Sequence, residues 1–354
     1  MTALPPTQVI GCGLIGTSVA LGLREQGIDV FLTDADPTVA ADAAERGAGT
    51  VGEAPAPAAV VVAVPPSAAA DTAVRALERW PHAVVTDVAS VKAGIGAAVA
   101  ARPGADRYVG SHPMAGSERS GPSAGSAQLF AGRPWAIAPT ERSGDDAVRL
   151  VEEIAVMLGA VPIRMDAGDH DAAVALVSHL PHLLSVLAAS RLTGAPTSHL
   201  ALSGPGLRDV TRIAGSDPRL WIDILGANAE PVRAQLRAVR ADLDRVIDAL
   251  APGSVDAGTL ADVLGTGRAG TRLIPGKHGG TPADLATVYV QIPDTPGALS
   301  RLFAHTGESG VNIEDMRIDH ELGRPVGLVE IAVVTGDADH LVTSLTERGW
   351  SAYR

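Results

Sequence analysis

The chain has 354 residues, enough for two or three domains that each bury a core. Its formal charge of -12 offers no hold on a phosphate backbone, and aromatic residues at 3% leave little surface for stacking bases, so no nucleic-acid partner is expected. Cys12 is the single cysteine, which excludes an intramolecular disulfide; with no signal-peptide pattern, the expected compartment is the cytoplasm.

From residue 1 to 165, short Val/Ile-rich runs alternate with Ala-rich helical ones. The strand-like runs are TQVIGCG, DVFLTD, AAVVVAVPP, HAVVTDVAS, RYVGSHP and PWAIAPT. The apolar stretch over 54–70 is broken by four prolines, so it reads as a buried strand and not as a membrane span. Strands that are apolar throughout and separated by helices indicate a parallel sheet covered on both faces, here a Rossmann-type doubly wound α/β domain.

The first run leads into VIGCGLIGTSVALGL, where Gly11, Gly13 and Gly16 have the G-x-G-x-x-G spacing. The first glycine permits a tight turn, the second the approach of a pyrophosphate, and the third the packing of helix on strand. The helix N-terminus supplies N–H groups to the anion. Asp34 ends the second strand, at roughly the 20-residue distance of an acid that accepts from ribose hydroxyls and repels a 2′-phosphate, which favours NAD over NADP. The plain alternative is a glycine turn followed by an ordinary strand-end aspartate. Cys12 fills space in the loop.

Further on, TDVASVK puts Ser90 and then Lys92 at the end of another strand, and VGSHPMAGSERSG puts His112 after a later one, followed by Glu118. Open α/β sheets bind ligands at the carboxyl ends of their strands, so a hydroxyl, a lysine and a histidine are expected to converge beside a nicotinamide. A loop-capping His112 and an N-capping Ser90 are the alternative.

Residues 166–265 change character to all-helical. DHDAAVALVSHLPHLLSVLAASRL has apolar residues at helical spacing behind the N-capping DAGD, and DPRLWIDILGANAEPVRAQLRAVRADLDRVIDAL reads as one or two more helices. His179 and His182 fall on one helix face. A metal would need a third ligand, and neither HExxH nor a cysteine cluster is present, so no metal is expected and the pair reads as polar pocket lining. SGPGLRDVTRIAGSDPRLW gathers Arg208, Asp209, Arg212, Asp217 and Trp221 around a glycine-rich turn. Asp209 and Arg212 form either a plain intrahelical ion pair or a ligand-binding arginine held by an acid. Residues 266–283 read as a Gly-rich basic linker, with Arg268, Arg272 and Lys277 on a solvated loop. Residues 284–354 read as a ferredoxin-like βαββαβ unit.

Taken together, GCGLIG, DVASVK, GSHPMAGSERSG, SHLPH and LRDVTRIAGSDPRLW resemble the prephenate/arogenate dehydrogenase family of tyrosine biosynthesis, in the family's order and over nearly the whole chain. The tail resembles an ACT domain, with DTPGAL before its first helix and Asn312 after it. The resemblance implies oxidation of a 4-hydroxycyclohexadiene carboxylate, prephenate or arogenate. A hydride leaves C4 for NAD, the hydroxyl loses its proton, and C1 loses CO2 as the ring becomes aromatic.

It further implies His112 as the base and Ser90 as its hydrogen-bonding partner beside the nicotinamide. Arg212 would bind a substrate carboxylate, with Glu118 and Asp209 orienting it or gating the pocket. His179, His182 and Trp221 would line that pocket. The implied cofactor set is Gly11, Gly13, Leu14, Ile15, Gly16, Asp34, Val64 and Ser90. In the tail, Asp294, Gly297, Ala298, Leu299 and Asn312 would form a site for L-tyrosine, or the tail would serve dimerisation alone. A homodimer is the expected assembly. Two rivals remain: a β-hydroxyacid dehydrogenase, against which stands the absence of a lysine beside His179 and His182, and a non-catalytic NAD and amino-acid sensor, which would not need Ser90, His112 and Arg212 together.

Overall fold

The computed structural model describes residues 5–116, 120–274, 284–320 and 326–354, and the chain divides into two compact units, Met1–Arg240 and Ala241–Arg354. In the first unit an eight-stranded sheet is built from β1 (Thr7–Ile10), β2 (Val30–Thr33), β3 (Thr50–Val51), β4 (Ala59–Val62), β5 (Val84–Asp87), β6 (Tyr108–Pro113), β7 (Pro134–Pro139) and β8 (Val161–Arg164). The spatial order is β3-β2-β1-β4-β5-β6-β7-β8. The first six strands are parallel; β7 runs antiparallel to β6, and β8 is parallel to β7.

The β4 run AVVV shows why these strands carry apolar residues throughout. Ala59 and Val61 enter one core, with Val19 and Leu23 of α1 (Leu14–Glu25), Ala40 of α2 (Pro37–Glu45) and Val151 of α5 (Asp145–Met157). Val60 and Val62 enter the opposite core, with Ala73 and Leu77 of α3 (Pro66–Arg79) and Ile95 of α4 (Ala93–Ala100). A strand covered on both faces has no solvent side on which to alternate.

Between β8 and β9 the described residues hold helices only. In the first unit these are α6 (Ala167–Val174), α7 (Leu180–Ser190), α8 (Thr197–Leu200), α9 (Pro205–Thr211), α10 (Pro218–Ala227) and the start of α11 (Ala229–Ala249). Asp166 caps α6 by accepting from the backbone N–H of Gly168 and Asp169. A π-turn, Ala175–His179, joins α6 to α7 without a break. The resulting run Ala167–Ser190 is long and apolar enough, by length and composition, to cross a membrane. Here it carries His170, Asp171, His179 and His182, all buried in the protein.

In the second unit, α12 (Ala257–Thr271) corrects the expected linker: Arg268 lies in its last turn and Arg272 is its C-cap, both exposed, while Lys277 lies outside the described residues. The tail follows as β9 (Leu285–Pro293), α13 (Ala298–Glu308), β10 (Asp315–His320), β11 (Val326–Val334), α14 (Ala338–Glu347) and β12 (Ser351–Tyr353). Its antiparallel sheet has the order β10-β11-β9-β12, the ferredoxin-like arrangement. Val288, Val290, Val329 and Ile331 pack under Leu302 and Leu341 of the two helices.

Candidate active site

The nucleotide-binding end follows from backbone geometry. Gly11 has φ +97°, and a Cβ there would lie 2.4 Å from the carbonyl oxygen of Ala63. A Cβ on Gly16 would lie 1.9 Å from the carbonyl oxygen of Gly11, so α1 can approach β1 only because the residue is glycine. A Cβ on Gly13 would meet nothing within 4 Å; that side of the loop is open. Gly13 is the N-cap of α1 and gives it no side-chain cap, and Leu14 and Ile15 form the first turn. These features fit a dinucleotide pyrophosphate.

Asp34 stands at the carboxyl end of β2. Its carboxylate accepts from the N–H of Cys12 at 2.6 Å and from that of Asp36 at 2.9 Å, which ties it to the glycine loop. Val64, after β4, comes within 3.1 Å of a Cβ built on Gly11. Burial, followed by the Asp34 charge, pushes the Cys12 thiol up to about 12, so it stays protonated and inert.

His112 is on β6, at its carboxyl end, opposite Ala136 of β7. Its Nδ1 lies 2.9 Å from Nε2 of His170, and Nδ1 of His170 lies 2.8 Å from Oδ1 of Asp171. Asp171 also accepts from the backbone N–H of Lys92 at 2.7 Å and of Ala93 at 2.9 Å, at the start of α4. Asn228 extends the chain: its amide donates to the carbonyl of Asp171 at 2.8 Å and to Nδ1 of His179 at 3.1 Å. Burial, then the neighbouring His170, Lys92 and His179, hold His112 well below the ordinary imidazole value. Burial likewise brings His179 down to about 4. Both rings are therefore neutral at pH 7.

Two expectations are corrected. Among the described residues no hydrogen bond joins Ser90 to His112; Ser90 is half-buried in the loop after β5, and the partner of His112 is His170. Lys92 does not reach a ligand either. It is 1% exposed, its ammonium is paired with Asp87, and it donates to the carbonyl of Ser111 at 2.7 Å. Asp87 also accepts from the Tyr108 hydroxyl at 2.6 Å. This group sits behind the strand ends and fixes β5 to β6.

On the helical side, the ring of His182 stacks on Trp221 at 3.5 Å and 2°, and His179 meets the same indole edge-on at 6.0 Å. Trp221 belongs to α10, which Asp217 caps by accepting from the N–H of Arg219. Arg212 opens a short 3-10 turn, Arg212–Gly215, packed against α7. It is exposed and, among the described residues, in no ion pair, so the intrahelical pairing with Asp209 is not formed. Asp209 lies one turn earlier on α9. Glu118 lies outside the described residues.

Sequence reasoning passed over His170, Asp171 and Asn228. The usable signal was GDHD: a histidine and an aspartate side by side, one turn into a helix and directly before the apolar run AAVALV. The π-turn before His179 is a second signal, visible only in three dimensions, since such turns are frequent at functional sites.

A sheet in the order 3-2-1-4-5-6 through its parallel part, a glycine turn with an acid after the second strand, and a histidine at a later strand end define a dinucleotide-dependent oxidoreductase with an appended helical region. Known proteins narrow the class. Residues 19–164 match the family described as "Prephenate dehydrogenase, nucleotide-binding domain", and residues 166–266 match "Prephenate dehydrogenase, dimerization domain". The chain is 35% identical to "Probable prephenate dehydrogenase NovF" of Streptomyces niveus, over 97% of this chain and 98% of that one. The prephenate dehydrogenase of A. aeolicus, solved with hydroxyphenyl propionate and NAD+, superposes with a TM-score of 0.68 at 24% identity, covering 76% of this chain and 96% of that one. Synechocystis arogenate dehydrogenase gives 0.64 at 26% identity over 75% and 98%. The chain belongs to the prephenate dehydrogenase family.

Proposed function

We propose that the chain is a cytoplasmic NAD+-dependent prephenate dehydrogenase that converts prephenate to 4-hydroxyphenylpyruvate and CO2. The observation that carries this reading is His112: a neutral imidazole at a strand end, its Nδ1 occupied by His170, on the sheet that carries the dinucleotide loop. NAD+, when bound, accepts the hydride from C4. His112 takes the proton of the 4-hydroxyl on Nε2 as the C4 carbonyl bond forms and the C1–carboxylate bond breaks. A neutral ring below its ordinary pKa stays available as a base at neutral and mildly acidic pH. Ser90, in the loop after the adjacent strand, contacts the hydroxyl or the nicotinamide. Arg212 presents a guanidinium without an ion-pair partner among the described residues, suited to a bidentate grip on a substrate carboxylate. His179, His182 and Trp221 form the pocket wall.

The tail supports a regulatory reading as an ACT domain. A cavity of about 380 Å³ is lined by Asp294, Gly297, Ala298, Leu299, Ile318 and Gly327 among others. Four of these were expected to hold L-tyrosine; Asn312 lies outside the lining and donates to Glu314. A homodimer is supported by the exposed apolar side chains Val177, Leu187, Leu202 and Ile222 of the helical region.

The test is initial NADH production from prephenate and from arogenate, each with NAD+ or NADP+, with and without L-tyrosine. Turnover of prephenate with NAD+ is the expected result. Turnover of arogenate alone replaces the substrate and keeps the chemistry; turnover of neither overturns the reading. Leu299→Trp, which fills the tail cavity, is expected to raise the tyrosine concentration needed for inhibition. Unchanged inhibition would move tyrosine out of the tail.

A further inference from the structure

The role of His112 as a base requires a free lone pair on Nε2. An isolated neutral histidine divides between two tautomers, and only one of them has that lone pair. The side chains behind His112 remove the choice.

Asp171 has a carboxylate that only accepts, and its neighbours at Lys92 and Ala93 are backbone N–H groups that only donate. Burial would raise the carboxyl, but the His170 ring and the two backbone donors outweigh it and hold Asp171 below its ordinary value. An ionised Asp171 obliges His170 to carry its proton on Nδ1, 2.8 Å away. A His170 ring that carries this one proton has only a lone pair on Nε2. The contact of 2.9 Å between that nitrogen and Nδ1 of His112 becomes a hydrogen bond donated by His112. His112 is thereby protonated on Nδ1, and its Nε2 lone pair faces away from the relay.

We propose that Asp171, acting through His170, sets the tautomer of His112 and takes up the positive charge that forms when His112 acts as a base. The inference rests on the reading of His112 as that base. In the step, the substrate proton bonds to Nε2 of His112, and the Nδ1 proton of His112 passes to Nε2 of His170. The new imidazolium then lies against the Asp171 carboxylate. Among the described residues no other group facing His112 can do this. Lys92 is cationic and opposes a charge on His112, His179 opposes it as well, and Asp87 is occupied by Lys92 and Tyr108. Asn228 supports the relay from the far side, holding the Asp171 carbonyl and, through His179, the start of α7.

His170 and Asp171 touch neither substrate nor cofactor in this scheme; they are positioning residues. Their signature is a tautomer, which packing alone would not fix. In the full-length protein labelled with 15N-histidine, long-range 1H–15N spectra are expected to show His112 protonated on Nδ1, and His112→Asn assigns the resonance. In Asp171→Asn the amide oxygen stays towards the Lys92 N–H and His170, so the tautomer is expected to persist, whereas Asp171→Leu removes the acceptor and is expected to leave His112 divided between both tautomers.

His170→Leu is expected to lower kcat by about 10²-fold with KM changed less than about threefold, and His170→Gln, whose amide oxygen can accept from His112, to recover about tenfold. Wild-type His112 protonated on Nε2 overturns the proposal. So does a His170→Leu protein that folds, by thermal melting, and keeps kcat within about threefold. If His170→Leu does not fold, the wild-type spectrum and the Gln variant still decide. Normal turnover in His112→Asn would instead remove the base itself, whereas a dead His112→Asn beside an active His170→Leu removes the relay alone.

Discussion

The two walls of the candidate site follow opposite rules. On the sheet side, His112, His170, Asp171, Lys92, Asp87 and Tyr108 form one bonded group, and Asp87 and Lys92 are fully or almost fully buried. On the helical side, Arg212 is exposed with no ion-pair partner among the described residues, and Trp221 is held by ring stacking. The difference separates two tasks. Proton transfer needs donors and acceptors fixed before the substrate arrives, because reorganisation during the step costs rate. Binding an anion needs a cation that the protein has not already neutralised.

This contrast makes distinct predictions for the two sides. Removing the base should have the largest effect: His112→Asn is expected to lower kcat by about 10²–10⁴-fold with little change in KM. Steady-state kinetics with saturating NAD+ and varied prephenate would measure it, and a change confined to KM would show that the sheet wall binds and does not react.

A second effect belongs to folding. Lys92→Met leaves Asp87 buried with a tyrosine hydroxyl but no cation, and breaking a buried pair from one side costs about 3–5 kcal/mol. Urea unfolding of the variant should show a loss of that order. A loss under about 1 kcal/mol would mean that the sheet wall is less rigid than its bonding implies.

On the helical wall, Arg212→Gln should act on binding. A hydrogen bond to a charged group contributes about 1.5–3 kcal/mol, so KM for prephenate should rise by about 10- to 10²-fold with kcat changed much less. An equal loss in kcat and kcat/KM would erase the division of labour between the walls, since Arg212 would then act mainly in the transition state.

How far the sequence carries the reader differs between these walls for a physical reason. The positions of Gly11, Gly13, Gly16, Asp34 and His112 were legible because they follow from local chain geometry: a turn, a helix start, a strand end. The run AVVV at β4 announced a doubly covered strand. Strands β3 and β8 were missed; β3 has two residues, both exposed, and β8 has no buried residue, so neither carries a core signature. The linker expected over 266–283 was wrong as far as Thr271, because glycines at 267 and 270 read as a loop while the chain continues α12 through them. The His170 partnership was not legible at all. It joins β6 to α6 across 58 positions of chain, and no local pattern shows which residue a strand-end histidine will face. The bond from Ser90 to His112 was what the resemblance implied, and the structure gives that bond to another ring.

The smallest effect tests both walls by pH. Neutral burial lowers both His112 and His179, the latter from 6.5 to about 4. In the unfolded chain each ring binds a proton as pH falls through about 6.5, while the native rings stay neutral. The unfolded state then holds more protons than the native one, so stability rises with pH in this window and is lost as pH falls from about 6.5 towards 4. Above 6.5 both states are neutral at these rings, and they add no slope. Melting temperature should therefore be flat near neutrality and drop by several degrees on acidification, and His179→Gln should make the drop shallower. If the variant melts along the same curve as the parent, the acid sensitivity lies elsewhere, in carboxylates such as Asp171, whose lowered value gives stability lost only below about pH 4.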